Sequence, residues 1–186
     1  MKYEKIPKII SEIKDKLNYS KITISRDLKI KVAENMLNIM AARHIHFGLF
    51  IIVGWQNKWH IYTDISDSGQ DIFAKHHINI MAKGTDEIST TVDFDGAILI
   101  DKHGNIKHSG VIIEGLRPSL AAQKVNPGKF ADLSEQFGFK EKVHSRHLSA
   151  ITASYIFKNT TVYTVSEEND SFHIFEAGKI LYSWKK

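Results

Sequence analysis

Apolar residues recur at helical spacing in the N-terminal part of the chain. The first set is Ile6, Ile9, Ile10, Ile13 and Leu17. Lysine and glutamate separate these residues, which predicts an amphipathic helix over residues 3–17. Ser25 is a candidate helix cap, and a second helix is expected from there to about residue 43. The first helix is expected either to pack on its own domain or to mediate assembly.

Continuous and alternating apolar runs predict strands in the rest of the chain. GLFIIVGW at 48–55 is typical of a buried strand, with 59–65 as its expected partner across a turn at 56–58. Residues 90–101 are expected to form a central strand, followed by a turn at 102–105 and a returning strand over 106–113. A helix over 146–157 and strands over 160–166, 172–175 and 180–184 complete the pattern.

This alternation predicts an α/β fold, in which one domain has a central mixed β-sheet flanked by helices and an N-terminal helical extension. The expected division is a helix over 1–20 and a domain over 21–186. Residues 71–83 fit either a short helix or a strand. Pro118, Pro127 and Gly128 favour a long loop from about residue 117 to 138, continuing to 143.

Composition narrows the class of function. The chain has 186 residues, of which 42% are hydrophobic, and it has no cysteine, which excludes disulfides and thiolate chemistry. The net charge of +4 is spread along the chain, so a nucleic-acid groove is not indicated, although an anionic small molecule fits. The longest apolar run, 47–55, is far shorter than the roughly 20 residues of a membrane helix. A cytoplasmic protein that does not enter a membrane is expected.

Asp95 and Gly96 follow the first half of the predicted central strand. A carboxylate at a strand end can hold a hard divalent cation together with substrate phosphates, and glycine allows a ligand close to the backbone. The alternative is that Asp-Gly is only a turn.

Arg146 and His147 follow Ser145 at the expected start of a helix. Free amides at a helix N-terminus and an arginine fork both suit phosphate. The alternative is an ordinary solvated helix start. Ser166, Glu167 and Glu168 end a predicted strand, and their carboxylates could reach the same metal. A polar strand end is the better explanation of these residues taken alone.

Taken together, DFDGAILIDKHGNIKHSGVIIEGL, SRHLSAITA and VSEENDSFHIFEAGKI resemble the diadenylate cyclase domain family, and the archaeal-type members most closely. The resemblance runs from about residue 88 to 184, with a weaker match back through GLFIIVGW. It implies condensation of two ATP molecules into cyclic di-AMP with release of pyrophosphate, between two facing subunits of a homo-oligomer.

The resemblance also implies roles for particular residues. Asp95 would bind Mn²⁺ or Mg²⁺ with Glu167, and Arg146 and His147 would grip the phosphates. The remaining substrate-binding positions implied by the family are Gly96, Ala97, Leu116, Ser145 and Ser166.

Two residues depart from the family pattern. Leu148 stands where a second arginine is expected, and His144 stands where the family has glycine. A catalytically weak or inactive sensor of ATP or cyclic di-AMP is therefore an alternative to the cyclase. A structural or protein-interaction domain that uses the first helices is a third alternative, from a different class.

Overall fold

A computed structural model describes residues 2–43, 46–64, 69–76, 78–82, 87–168 and 170–185. Two helices precede the sheet: α1 spans Ile6–Leu17 and α2 spans Arg26–Ala42. The apolar side of α1 is buried against α2 and the last strand of the sheet, so this helix packs on its own chain. Ser25 occupies the N-cap position of α2, although its side chain makes no capping hydrogen bond.

The strands described are β1 (Leu49–Val53), β2 (Thr63–Asp64), β3 (Ala97–Ile100), β4 (Ile106–Ile113), β5 (Thr161–Val165), β6 (Phe172–Glu176) and β7 (Lys179–Trp184). They form one sheet in the order β2-β4-β3-β1-β5-β6-β7. The β1–β3 pair is parallel and the other neighbours are antiparallel. The predicted α/β fold with a mixed sheet, flanking helices and an N-terminal helix is confirmed.

Alternate side chains of the strands enter two hydrophobic cores, one on each face of the sheet. In β1, Ile51 faces the core that contains α1 and α2. Ile52 faces the core that contains α3 (Pro118–Val125) and α5 (Ser145–Ile156). A short helix, α4 (Leu133–Gln136), lies on this second side. All five residues of β1 are buried, because layers cover both faces of the sheet.

Among the described residues, no helix combines the length and apolar character needed to cross a bilayer.

Four local predictions were wrong. Residues 57–62 form a 3₁₀ helix, and the two-residue β2 pairs with β4 rather than with β1. Ile65 lies outside the described residues. The first part of the predicted central strand contains a 3₁₀ helix at Glu87–Thr91, and β3 begins only at Ala97. Residues 71–76 and 78–82 form turns with one isolated bridge, Asn79 to Asn105, and residues 77 and 83 are outside the described part.

The fourth error concerns the predicted loop 117–138, which contains α3 and α4. Pro118 starts α3, where its missing N–H costs no hydrogen bond and its fixed φ suits the helix. Pro118 therefore begins a helix in a segment that was predicted to be a loop.

Candidate functional site

The candidate residues meet at one end of the sheet. The parallel strands β1 and β3 both begin at this end, while their antiparallel neighbours β5 and β4 finish there. Residues just before β1 and β3 therefore lie near residues just after β5. The N-terminus of α5 reaches the same end, since His144 and Arg146 pair with Glu168 and Glu167 just after β5.

Asp95 is exposed immediately before β3. One of its carboxylate oxygens accepts the backbone N–H of Gly96 at 2.8 Å. Its own backbone N–H donates to the side-chain oxygen of Gln70 at 3.1 Å. These two contacts hold the Asp95 segment in place and leave the carboxylate facing solvent.

Gly96 is required by the packing of the sheet. Its φ is +86°, and a β-carbon here would lie 2.6 Å from the backbone carbonyl of Val111 in β4. A side chain would therefore force β3 and β4 apart. This contact explains the glycine without any ligand, and ligand approach at this position stays a prediction.

Arg146 lies in the first turn of α5, after His144 in extended conformation at the N-cap. A β-carbon on Gly48, just before β1, would overlap the Arg146 guanidinium. Nη1 of Arg146 lies 3.6 Å from Oε1 of Glu167. The guanidinium therefore lies between the backbone of Gly48, which has no side chain, and the carboxylate of Glu167.

The segment after β5 brings acidic groups to the same place. Ser166 is buried, and its hydroxyl accepts the backbone N–H of Glu168 at 3.3 Å. Oε2 of Glu168 lies 2.8 Å from Nε2 of His144. Two pairs, Arg146–Glu167 and His144–Glu168, therefore join the start of α5 to the end of β5.

His147 is the most buried ionisable group of the site, with only 3% of its surface exposed. Burial lowers its pKa to about 4, and the neighbouring charges of Arg146 and His144 act in the same direction. Its Nε2 has no hydrogen-bond partner among the described residues. His147 is therefore a neutral imidazole, and its Nε2 is enclosed by protein.

These groups line one cavity of about 340 Å³. Seven of the nine residues predicted for the site are in its wall: Asp95, Gly96, Ser145, Arg146, His147, Ser166 and Glu167. Ala97 is fully buried in the sheet, and Leu116 packs against the second core, so neither belongs to this wall. The volume lies within the range of small-ligand pockets.

The sequence analysis missed several contributors to the cavity and its support. Phe50 and Ser149 line it, while Gln70 and Gly48 support Asp95 and Arg146. Ser149 had a usable signal, because it lies four residues after Ser145 on the same side of a helix. Leu148 does not line the cavity and packs against the second core instead.

The carboxylates that line the cavity would hold a metal ion only if a substrate supplied further ligands. Within the described ranges, no group of three or more His, Asp or Glu residues could hold a metal. Mg²⁺ usually takes one or two carboxylates, with phosphates and waters filling its other positions. Asp95 and Glu167 in one cavity match that pattern and would hold Mn²⁺ or Mg²⁺ with the substrate phosphates.

No family model matches the chain, and no curated protein matches it. Among solved structures it is similar to a hypothetical membrane-spanning protein from Bacillus cereus, at 16% identity and a TM-score of 0.50. That alignment covers 84% of this chain and 62% of the other, so the chain spans less than two thirds of that structure. It is also similar to a double mutant of DacA from Staphylococcus aureus, at 14% identity and a TM-score of 0.41, covering 95% and 87% of the two chains. The first of these similarities shows a shared fold alone.

Proposed function

We propose that this chain is a diadenylate cyclase that condenses two ATP molecules into cyclic di-AMP. One observation carries the proposal: Asp95, Arg146, His147 and Glu167 come from three separate segments and line a single cavity. The family resemblance assigns these same segments to metal and phosphate binding.

The charges in the cavity suit a triphosphate. The unpaired amides at the start of α5 and the Arg146 guanidinium supply donors for phosphate oxygens. Asp95 and Glu167 would hold the Mn²⁺ or Mg²⁺ ion, which would neutralise phosphate charge. His147 is neutral because of its burial, so it would offer a hydrogen bond rather than a second positive charge.

The reaction requires two such sites. The 3′-hydroxyl oxygen of one ATP bonds to the α-phosphorus of the other, and the bond from that phosphorus to pyrophosphate breaks. Repeating this step in the other direction closes the ring and releases the second pyrophosphate. We propose that each cavity holds one ATP, so the proposal includes a homo-oligomer in which two cavities face each other.

A non-catalytic sensor of ATP or cyclic di-AMP is the second candidate, and the environment of Leu148 favours it. Leu148 packs against the second core, so the helix start contributes one guanidinium where the family has two. Losing one charge-stabilising donor costs roughly 2–4 kcal/mol, or about a hundredfold or more in rate. A pocket with this loss can still bind nucleotide.

The test is conversion of ATP into cyclic di-AMP by the purified chain with Mn²⁺, measured by mass spectrometry. Asp95→Asn removes the carboxylate charge with little change of shape, and product formation is expected to fall at least a hundredfold. Asp93→Asn is the matched control, because Asp93 is 76% exposed, pairs with Arg43 and does not line the cavity.

Each outcome separates the candidates. Product that disappears in Asp95→Asn and persists in Asp93→Asn supports the cyclase. ATP or cyclic di-AMP binding without product supports the sensor. The absence of any nucleotide-dependent shift in melting temperature contradicts both and favours an interaction domain.

A further inference from the structure

We propose a second ligand site beside the first, which binds a small anion with a flat apolar portion. The site is a cavity of about 420 Å³ between the segment 138–143, the start of β6 and the end of β7. We call it the β7 cavity. It does not depend on the proposed function, since no residue of its wall lines the first cavity.

The interior of the β7 cavity is apolar and partly aromatic. Phe139, Val143 and Ile180 contribute to its wall. The ring of His173, also in the wall, lies parallel to Phe175 at 5.7 Å and edge-on to Phe139 at 5.8 Å between centroids. A flat apolar group fits walls of this kind, because rings favour offset or edge-to-face contacts.

The rim of the cavity is positively charged. Lys140, Lys142 and Lys185 line it, and Glu141 is the acidic residue among the lining residues. Glu141 is paired with Lys185 at 2.7 Å. Neither Lys140 nor Lys142 forms an ion pair within the described ranges, so two cations face the cavity without an acidic partner. This charge selects an anion.

His173 is a buried part of the cavity wall. Only 7% of its surface is exposed, and its Nδ1 has no hydrogen-bond partner among the described residues. Because this nitrogen is enclosed by protein, it selects no ligand, and the ring of His173 contributes flat surface to the wall.

The two cavities are in contact through a pair of histidines. The ring centroids of His173 and His147 are 4.7 Å apart, and His147 lines the first cavity. The segment 138–143 also runs directly into the start of α5, which carries Arg146. A molecule in the β7 cavity would therefore act on the first site by shifting His147 and the start of α5.

The experiment is a calorimetric titration of the full chain with 1-naphthyl phosphate, with neutral 1-naphthol as the uncharged comparison and no ATP present. Lys140→Gln/Lys142→Gln removes the rim charge, and Ser183→Trp blocks the cavity from an exposed position. Both are expected to weaken binding at least tenfold. Lys21→Gln/Lys102→Gln is the matched charge control at the other end of the sheet and is expected to bind normally.

Arg146→Gln separates the two cavities, and it is expected to leave binding unchanged. The imidazole NMR signals of His173 and His147 should both shift on saturation of the wild-type chain. The proposal is overturned if the wild type does not bind at millimolar probe or if 1-naphthol binds equally well. It is also overturned if Arg146→Gln abolishes binding while the lysine variant keeps it. None of these results bears on cyclic di-AMP formation, so the two proposals fail separately.

Discussion

At the scale of single residues, the position of Arg146 depends on a residue that has no side chain. The guanidinium fills the space where Gly48 would carry a β-carbon, and Glu167 lies on its other side. The φ of Gly48 is outside the left-handed region, so the backbone accepts alanine without strain. The glycine is therefore needed for the arginine rather than for the local chain.

We expect Gly48→Ala to displace the Arg146 guanidinium and to weaken ATP binding about tenfold, or ~1.4 kcal/mol. The free energy of unfolding should change by less than about 1 kcal/mol, since only the end of a flexible side chain must move. Calorimetric titration with ATP and urea unfolding measure the two quantities.

The comparison for this prediction is Arg146→Gln, alone and combined with Gly48→Ala. If Gly48 acts through Arg146, the double variant should bind ATP no more weakly than Arg146→Gln alone. Additive losses would show that Gly48 has a separate role.

At the scale of elements, a buried polar network joins α2 to the end of the sheet opposite the site. Lys29 of α2 is 2% exposed, and its Nζ lies 2.9 Å from Oε1 of Glu176 in β6. Glu176 also accepts hydrogen bonds from Ser20 at 2.6 Å and Thr161 at 2.7 Å. Burial lowers the pKa of Lys29, while the hydrogen bond and the charge of Glu176 oppose this effect.

We expect Lys29→Met to reduce the free energy of unfolding by about 3–5 kcal/mol, because it leaves the Glu176 carboxylate buried without its cation. Adding Glu176→Gln should recover much of the loss, because the buried charge is gone. Ser20 and Thr161 donate to different oxygens of Glu176, so the amide oxygen accepts from one of them and the amide NH2 donates to the hydroxyl of the other. Urea unfolding at pH 7 measures both.

The exposed pair Lys185–Glu141 provides the control, and Lys185→Met should cost less than about 1 kcal/mol. A Lys29→Met effect as small as this would show that the network does not hold α2 to the sheet.

At the scale of the whole molecule, stability should depend on two buried histidines between α5 and the sheet. Burial lowers the pKa of His147 to about 4 and that of His173 to about 3. The charges of neighbouring groups lower both pKa values further: Arg146 and His144 act on His147, and His147 acts on His173. In the unfolded chain both would titrate near their ordinary pKa of 6.5. The unfolded state therefore binds more protons than the native state between these values, and stability falls as the pH falls from about 6.5 towards 4.

We expect His173→Phe to make the free energy of unfolding depend less steeply on pH, by the contribution of about one proton. Phenylalanine would pack between Phe139 and Phe175 without titrating. Urea unfolding at pH 7, 6 and 5 gives the dependence. His103→Gln, in an exposed turn, should leave it unchanged. An equal pH dependence in wild type and His173→Phe would contradict a neutral, buried His173.

The amino-acid pattern was enough to predict the elements whose burial is local. The periodicity of α1 and α2 was sufficient, because one buried face leaves a regular spacing in the chain. The apolar run of β1 was sufficient because a strand buried on both faces is apolar throughout. The residues predicted for the site could be recognised in the sequence for a similar reason. Asp95, Arg146 and Glu167 are polar residues next to strand or helix ends, where side chains reach solvent.

Which of these elements meet depends on how the folded chain packs. The sequence paired β1 with residues 59–65, whereas β1 lies between β3 and β5, since pairing between distant apolar strands leaves no local pattern. The contact of Gly48 with Arg146 and that of His147 with His173 likewise join residues far apart in the chain. These contacts follow from packing two layers of helices on one sheet, and no spacing within a segment encodes them.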